Sequence, residues 1–579
     1  MRHFVSIVAR ATGAIVVHHA ILSIGVVHLG ASRARTALLA LVLIIALVAC
    51  GNEASTTLEA PTNVTATPGP GYVTVSWQHD GQHVTGFRVS RQAAPTTSST
   101  MHRMDDASTE TTFDVGPDFR SYDDGDIDTD ATVLYSVRAL GAGGVTSSAT
   151  TQSGPAVQAG PPAEVTVTWI TSAAAASVAF AEGVAQRYAD ANPHKIGVAS
   201  YDVSVDVVAG PGSATDRLAY YLDLFGDASD AVDVLEIDVV WPGDLAEYLV
   251  DLGDAQGVAA ALPGFFASIV ENNTVDGRLV ALPYYADAGM LYYRSDLLDA
   301  YAFSGPPTTW DDLEAMAATI QEGERTGGNA DFWGFVWQGN AYEGLTANAL
   351  EWVHAHAGGQ IVEPDGVITI DNPNAVAALE RATGWVGTIS PSDVTMMAEE
   401  SSRSIWQSGN AAFMRNWPYA YGLGNAPGSA VADQFGIVPL PAGNVAGGTP
   451  SGALGGWQLA VSAYSAHPEV AADLALFISS HQEQLQLAIE LSFLPTRAAV
   501  YDDPQLLGST SAWMADALPI FESAVARPST VTAPNYGQTS ALFYGAVHDV
   551  LTGTETAGNA LAALAQALSA LLDLPTGQP

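Results

Sequence analysis

The chain has two textures. From about residue 60 to 158, apolar and polar positions alternate in short runs at 64–67, 72–77, 86–90, 132–139 and 146–151. Pro/Gly or Asp/Gly clusters at 68–71, 80–81 and 123–125 separate several of these runs. Alternation puts every second side chain on one face, so the runs predict the half-buried strands of a β-sandwich. A linker rich in Pro and Gly follows, with Pro155, Gly160, Pro161 and Pro162, and Pro restricts its flexibility. From about 163 the period changes. Residues 165–170 read as a strand, 176–191 carry apolar residues at helical spacing up to Asn192-Pro193, and 203–208 are a second strand. A helix over 218–225 and a strand over 232–240 come next. A β-α-β-α-β order predicts a parallel sheet with helices on both faces. Ligands of such sheets bind beyond the carboxyl ends of the strands, and Asp238 stands at one such end with Trp241 just after it. The final third predicts helices over 468–480, 483–490, 541–551 and 557–572.

The N-terminus follows a different logic. An apolar run at 37–49 ends at Leu47-Val48-Ala49-Cys50, with Arg33 and Arg35 before it. The run is short for a membrane span of ~20 residues and suits the core of a signal peptide. A plain transmembrane anchor starting further upstream is the alternative, although His18, His19 and His28 interrupt that stretch. Residues 1–32 also read as an extension from an early start codon. The junction resembles a bacterial lipobox, which implies a signal peptide over 1–49, lipidation at Cys50 and a lipidated tether over 50–59. The mature protein is then held on the outer side of a membrane, in a periplasm or at a cell surface. Cys50 is the single cysteine, so an internal disulfide is excluded and a Cys-based zinc site is disfavoured.

Charge narrows the partners. The chain carries 61 acidic and 20 basic residues, a net charge of −41, and Lys195 is the only lysine. Nucleic acid is excluded as a partner, because phosphate neutralisation needs Lys and Arg. Docking onto anionic lipid by charge is disfavoured for the same reason. No Gly-rich phosphate loop ends in Lys-Ser/Thr, and neither His-Glu-x-x-His nor Gly-x-Ser-x-Gly occurs. His354 and His356 are two apart on a predicted helix, so they point to different faces. No metal or cofactor is expected.

The second region does hold clusters that combine aromatics with acids or amides. They are Asp238 to Trp241, Pro283 to Asp287, Phe332 to Trp337, Asn416 to Tyr419 and Gly455 to Trp457. A pyranose stacks its C–H face on an aromatic ring, while its hydroxyls suit carboxylates and Arg forks. A Gly beside the ring allows close backbone approach. Trp also fills cores, so each single Trp is open to either role. Two carboxylates such as Asp238 and Asp287 also fit the acid/base pair of an extracellular glycosidase, which needs them ~5–9.5 Å apart.

Two family resemblances sharpen these readings. Pro61, Trp77 and Tyr135 to Ala139 are similar to the Pro start, core Trp and late Tyr strand of a fibronectin type III domain, expected over 60–158. Trp77 and Tyr135 are then core residues. An adhesion or sensor role for this module is the alternative to a spacer. Residues 164–579, after a linker at 159–163, resemble an extracellular solute-binding protein of the ABC-transporter carbohydrate family, closest to the trehalose/maltose-binding proteins. The carrying stretches are 281–298, 305–325, 331–344 and 409–421. The resemblance implies a multidomain chain, with a β-sandwich followed by a two-lobed α/β binding-protein fold. Lobe 1 is expected over about 164–285 and 435–463, and lobe 2 over about 289–430 and 466–579. It implies a monomer without cofactor that binds an α-linked disaccharide or short oligosaccharide and delivers it to the transmembrane subunits of an ABC permease. It breaks no bond.

The resemblance also implies a site. Asp238, Asp287 and Arg497 take sugar hydroxyls, with Arg217 and either Thr215 or Ser213 on the first lobe. Tyr285, Trp417, Tyr419 and Trp457 supply rings, and Gly455 and Gly456 the close approach. The family's acid after the first strand is missing, and Ser177 holds its place, which weakens the case for trehalose itself. Trp333 and Trp337 are expected to pack the second lobe, and Trp310 to pack at a helix start with Asp311 and Asp312 favouring its N-terminus.

Overall fold

The computed structural model describes residues 58–94, 110–128, 130–522 and 524–579. Cys50, the apolar run and the tether lie outside them. The chain divides into two compact units, the second of which includes residues 158–579.

Among the described residues, 62–151 form seven strands in two sheets. Thr62–Gly69, Tyr72–Gln78 and Ser121–Asp124 form one, and Thr111–Val115, Val84–Ala93, Val133–Gly141 and Thr150–Thr151 the other. Alternation decides which residues enter the core. Val73, Val75 and Trp77 are buried from one sheet, and Phe87, Val89, Tyr135 and Val137 from the other. Trp77 packs its ring 5.3 Å from Phe87. The short strands Thr111–Val115 and Ser121–Asp124 carry too few alternating residues to stand out in the sequence.

The second unit contains two lobes, each around its own sheet. The first sheet has seven strands in the order Leu494–Pro495, Ala281–Ala288, Leu454–Val461, Val234–Asp238, Ala163–Thr171, Ala199–Ala209, His194–Ile196. The three early strands are parallel, as the β-α-β order requires. Their crossover helices are Ala175–Ala189 and Ala214–Gly226. Neighbouring residues of the first strand feed opposite faces. Trp169 packs with Phe180, Val184 and Tyr188 on one side, and Ile170 with Tyr221, Phe225 and Trp241 on the other.

The second sheet has four strands in the order Trp333–Val336, Ala411–Asn416, Met290–Arg294, Phe435–Pro439. Beside it, Trp310, Trp337, Trp352 and Trp385 are buried in one cluster with the helices Tyr536–Leu551 and Ala557–Leu572. Thr309 and Asp312 form a capping box at the start of the helix Trp310–Thr326, which satisfies exposed backbone N–H groups at both positions.

Two expected lobe boundaries are corrected. Phe435–Pro439 was expected in the first lobe, but it pairs with Met290–Arg294 in the second sheet. The helices Pro468–Ile478 and His481–Leu491 were expected in the second lobe. Instead Val470, Leu474, Ile478 and Leu487 pack with Val165, Val167 and Trp169 of the first. Helical periodicity shows that a face is apolar, not which sheet it covers.

The lobes join where three chain crossings lie side by side. The amide of Gly289 donates to the carbonyl of Ala453 at 3.1 Å. Leu454 and Val525 continue the contact, with Leu454 N–H to Val525 O and Val525 N–H to Gly452 O both at 2.8 Å. A Cβ on Gly289 would collide with the Glu351 carboxylate. Among the described residues no helix is long and apolar enough to cross a membrane.

Trp337 is fully buried and donates its indole N–H to Ser390 at 3.0 Å. Trp337→Ala is expected to destabilise the second lobe by about 3–5 kcal/mol through the cavity it leaves. Denaturant melts of the variant check this, and a loss under about 1 kcal/mol contradicts the packing role.

Candidate functional site

Three adjacent strands carry the predicted residues into one row. Leu454–Val461 runs antiparallel between Val234–Asp238 and Ala281–Ala288. Its register sets Asp238 opposite Trp457 and Trp457 opposite Tyr285. One step along, Asp287 faces Gly455. Gly456 has φ of +125°, a conformation L-residues avoid, and a Cβ there would meet the Tyr285 carbonyl at 2.5 Å. Gly455 leaves room for a ring from the other lobe, since a Cβ on it would touch Trp417 at 3.0 Å.

Trp417 and Trp457 are both half-buried. Each carries a guanidinium over its ring, Arg415 at 3.9 Å from Trp417 and Arg217 at 4.4 Å from Trp457. This cation–π stacking holds the rings in place. The Trp417 indole N–H also donates to Glu399 at 3.3 Å, and the Tyr419 hydroxyl to Glu400 at 2.7 Å. Tyr285 stacks on Phe493 with centroids 4.2 Å apart.

The carboxylates are held unequally. Asp238 accepts from Nη2 of Arg527 at 2.8 Å. Nη1 of the same arginine donates to Glu343 at 2.6 Å. Glu343 begins the second-lobe helix Glu343–Ala355, and its backbone N–H reaches Thr215 Oγ1 of the first lobe at 3.3 Å. Arg527 therefore spans a carboxylate from each lobe. Asp287 is 7% exposed, and its buried Oδ1 has no hydrogen-bond partner among the described residues. Burial pushes its pKa well above the usual carboxylate range, and the nearby Asp238 adds to this, with Arg415 and Arg527 opposing. An unpartnered buried acceptor is costly, so this oxygen is available to a ligand hydroxyl.

One predicted residue lies elsewhere. Arg497 donates from Nε to the Ser479 carbonyl at 2.7 Å and stacks 3.7 Å from Phe265. The late arginine in contact with the cleft carboxylates is Arg527, not Arg497. Sequence reasoning missed Arg527, although an arginine set between Val525-Ala526 and Pro528 in so acidic a chain was a signal.

Beside the row, a small cavity of about 10 Å³, room for about one water molecule, is bounded in part by Thr171, Ser172, Ser177, Glu236, Tyr285 and Phe493. Arg217 lies close to one of these residues, Glu236. This arginine is 3% exposed, donates from Nε and Nη2 to the Pro211 carbonyl and stands 3.7 Å from Glu236. Among the described residues no cluster of three His, Cys, Asp or Glu could hold a metal ion.

A two-lobed α/β fold with half-buried rings and buried carboxylates in its cleft defines a solute-binding protein. Residues 199–485 match the family model of bacterial extracellular solute-binding proteins. A probable ABC transporter-binding protein of Deinococcus radiodurans is 47% identical over 361 residues, which covers 62% of this chain and 85% of that protein. The structure of maltose-bound MalE3 of T. maritima superposes with a TM-score of 0.65 and 35% identity, over 71% of this chain and all of that one (100%). The GacH receptor of Streptomyces glaucescens shares the fold, with a TM-score of 0.60 and 24% identity over 71% of this chain and 99% of that one. The chain belongs to the bacterial extracellular solute-binding protein family. Members bind a solute and are not enzymes, so the glycosidase reading of Asp238 and Asp287 falls.

Glu236 yields a pH prediction. Burial pushes its pKa from the ordinary 4.5 up to about 7, against the pull of Arg217 and Thr171. The folded state then holds this proton more tightly than the unfolded chain. The resulting stability is fully present below the ordinary value and is lost as pH rises through about 7. The change is worth about 3 kcal/mol. Glu236→Gln is expected to flatten the fall in unfolding free energy between pH 5 and pH 8. Urea melts across that range check it, and an unchanged slope contradicts it.

Proposed function

We propose that this protein captures an α-linked disaccharide or short oligosaccharide of the maltose/trehalose class and presents it to the transmembrane subunits of an ABC permease. One observation carries the reading. Half-buried Trp417 of the second lobe reaches Gly455 beside Asp287, whose buried Oδ1 has no hydrogen-bond partner among the described residues, and half-buried Trp457 of the first lobe stands two residues along the strand from Gly455. Rings for the sugar's C–H faces and an open acceptor for its hydroxyls are what a pyranose requires. The maltose in the T. maritima MalE3 structure supports the same class of ligand.

In this reading Asp238, Asp287, Tyr285, Tyr419, Arg217, Thr215 and Ser177 complete the contacts. The lobes close on the sugar by rotation at the three crossings. The N-terminal β unit is a fibronectin type III-like spacer, supported by the sheets of three and four strands among its described residues and by the buried Trp77 and Tyr135. A lipid on Cys50 tethers a monomer to the outer side of the membrane. Tethering keeps the loaded protein close to its permease, which raises the effective concentration of the encounter.

A thermal-shift panel of maltose, trehalose, sucrose and maltotriose tests the ligand class. At a hundredfold excess over Kd the bound sugar stabilises by about 2.7 kcal/mol, and no shift with any of the four contradicts the reading. Trp417→Ala is expected to weaken the responding sugar by about 10–100-fold in calorimetry, from the stacking and packing lost. Cys50→Ala is expected to release the protein from membranes into the medium, as fractionation and immunoblotting would show.

A further inference from the structure

The cavity beside the row contains a carboxylate that no expected contact uses. Glu236 lies two residues before Asp238 on the strand Val234–Asp238, so both side chains leave the same face. It is 1% exposed, yet it bounds the cavity with Thr171, Ser172, Ser177, Tyr285 and Phe493. The stacked rings of Tyr285 and Phe493 form an apolar wall. The hydroxyls of Thr171, Ser172 and Ser177 and the Glu236 carboxyl supply the polar part.

The surroundings do not consume this carboxyl. Thr171 Oγ1 donates to Oε1 at 2.6 Å, and the backbone N–H of Ser172 is a second donor to the carboxyl. The Arg217 guanidinium stands 3.7 Å from Oε2, beyond hydrogen-bond reach, and gives its Nε and Nη2 protons to the Pro211 carbonyl instead. A carboxylate offers about four acceptor positions, so capacity is left over. A group kept only to neutralise Arg217 would close to a bidentate pair, as Glu351 does with Arg415. Nor does the loop after the first strand offer an alternative, because 171–177 contains no acid.

We infer that Glu236 is a specificity-determining ligand contact, whose carboxyl accepts one sugar hydroxyl directed into the water-sized space between Ser177 and the Tyr285–Phe493 wall. The inference rests on the sugar-binding reading. An acid supplied from the strand rather than from the loop sits deeper and selects a different set of hydroxyls.

Calorimetry on the full chain tests it, using whichever of maltose and trehalose binds the wild type, together with the mono-deoxy analogues of that sugar. Glu236→Gln is expected to weaken the parent sugar by about 10–100-fold. At one deoxy position wild type and variant should bind equally, because the hydroxyl that Glu236 takes is already gone. The double variant Glu236→Gln with Ser177→Glu should bind parent sugar at least about fivefold more tightly than Glu236→Gln alone. Should Glu236→Gln melt below the assay temperature, Glu236→Asp carries the same deoxy comparison. An unchanged affinity in a folded variant overturns the inference, as does an equal loss across every deoxy analogue. If the wild type binds neither sugar, the sugar-binding reading falls first and this inference with it, so the two failures are told apart by the wild-type measurement.

Discussion

The strand Leu454–Val461 pairs on both sides at once, and the cleft depends on that double pairing. Its register against Val234–Asp238 and Ala281–Ala288 decides that Asp238, Trp457 and Tyr285 share one row. A slip of one residue would turn every second side chain to the other face. Two features hold the register locally. The Val239 amide donates to the Gly456 carbonyl at 2.9 Å, and the backbone of Gly456 takes a conformation that a side chain would block. The same strand begins at the junction of the lobes, so the row and the junction are parts of one continuous element.

Electrostatics at the junction and in the cleft are coupled through a few arginines. Glu351 and Arg415 form a buried pair that also accepts the Ala453 amide at 3.0 Å. Arg415 in turn lies over Trp417. Arg527 bridges Asp238 and Glu343 across the lobes, and Arg217 stands between Trp457 and Glu236. Burying a charge is costly unless it is paired. In a chain with 61 acids and 20 bases, the paired arginines decide which carboxylates stay committed and which keep an open lone pair. Among the described residues the buried Oδ1 of Asp287 has no hydrogen-bond partner.

Glycine governs how closely the lobes can join. Gly289 sits against Glu351, and Gly452 against the backbone of Gly289. Neither position tolerates a Cβ without movement of a neighbour. The crossing strands can thus lie side by side, and Arg415 links Glu351 at the junction to the Trp417 ring.

Much of the architecture was legible in the sequence. The 2.0 and 3.6 periods named strands and helices within a few residues, because periodicity reports which face is buried. Short tripeptide and tetrapeptide clusters, such as Gly455 to Trp457 and Asn416 to Tyr419, pointed to residues that the fold brings near one another, because ring, glycine and acid chemistry is local. What stayed hidden was long-range. Arg527 lies 289 positions from Asp238 along the chain, and no pattern in either segment names the other. Phe435–Pro439 reads equally well in either sheet, and Arg497 matches a motif yet turns toward Phe265. Glu236 looked like one more acid on a strand until the fold closed a cavity over it. The sequence by itself determined which residues are apolar, which backbone turns need glycine and which chemistry is on hand. Only tertiary packing decided which charges meet, because ion pairing depends on distance in space and burial rather than on separation along the chain.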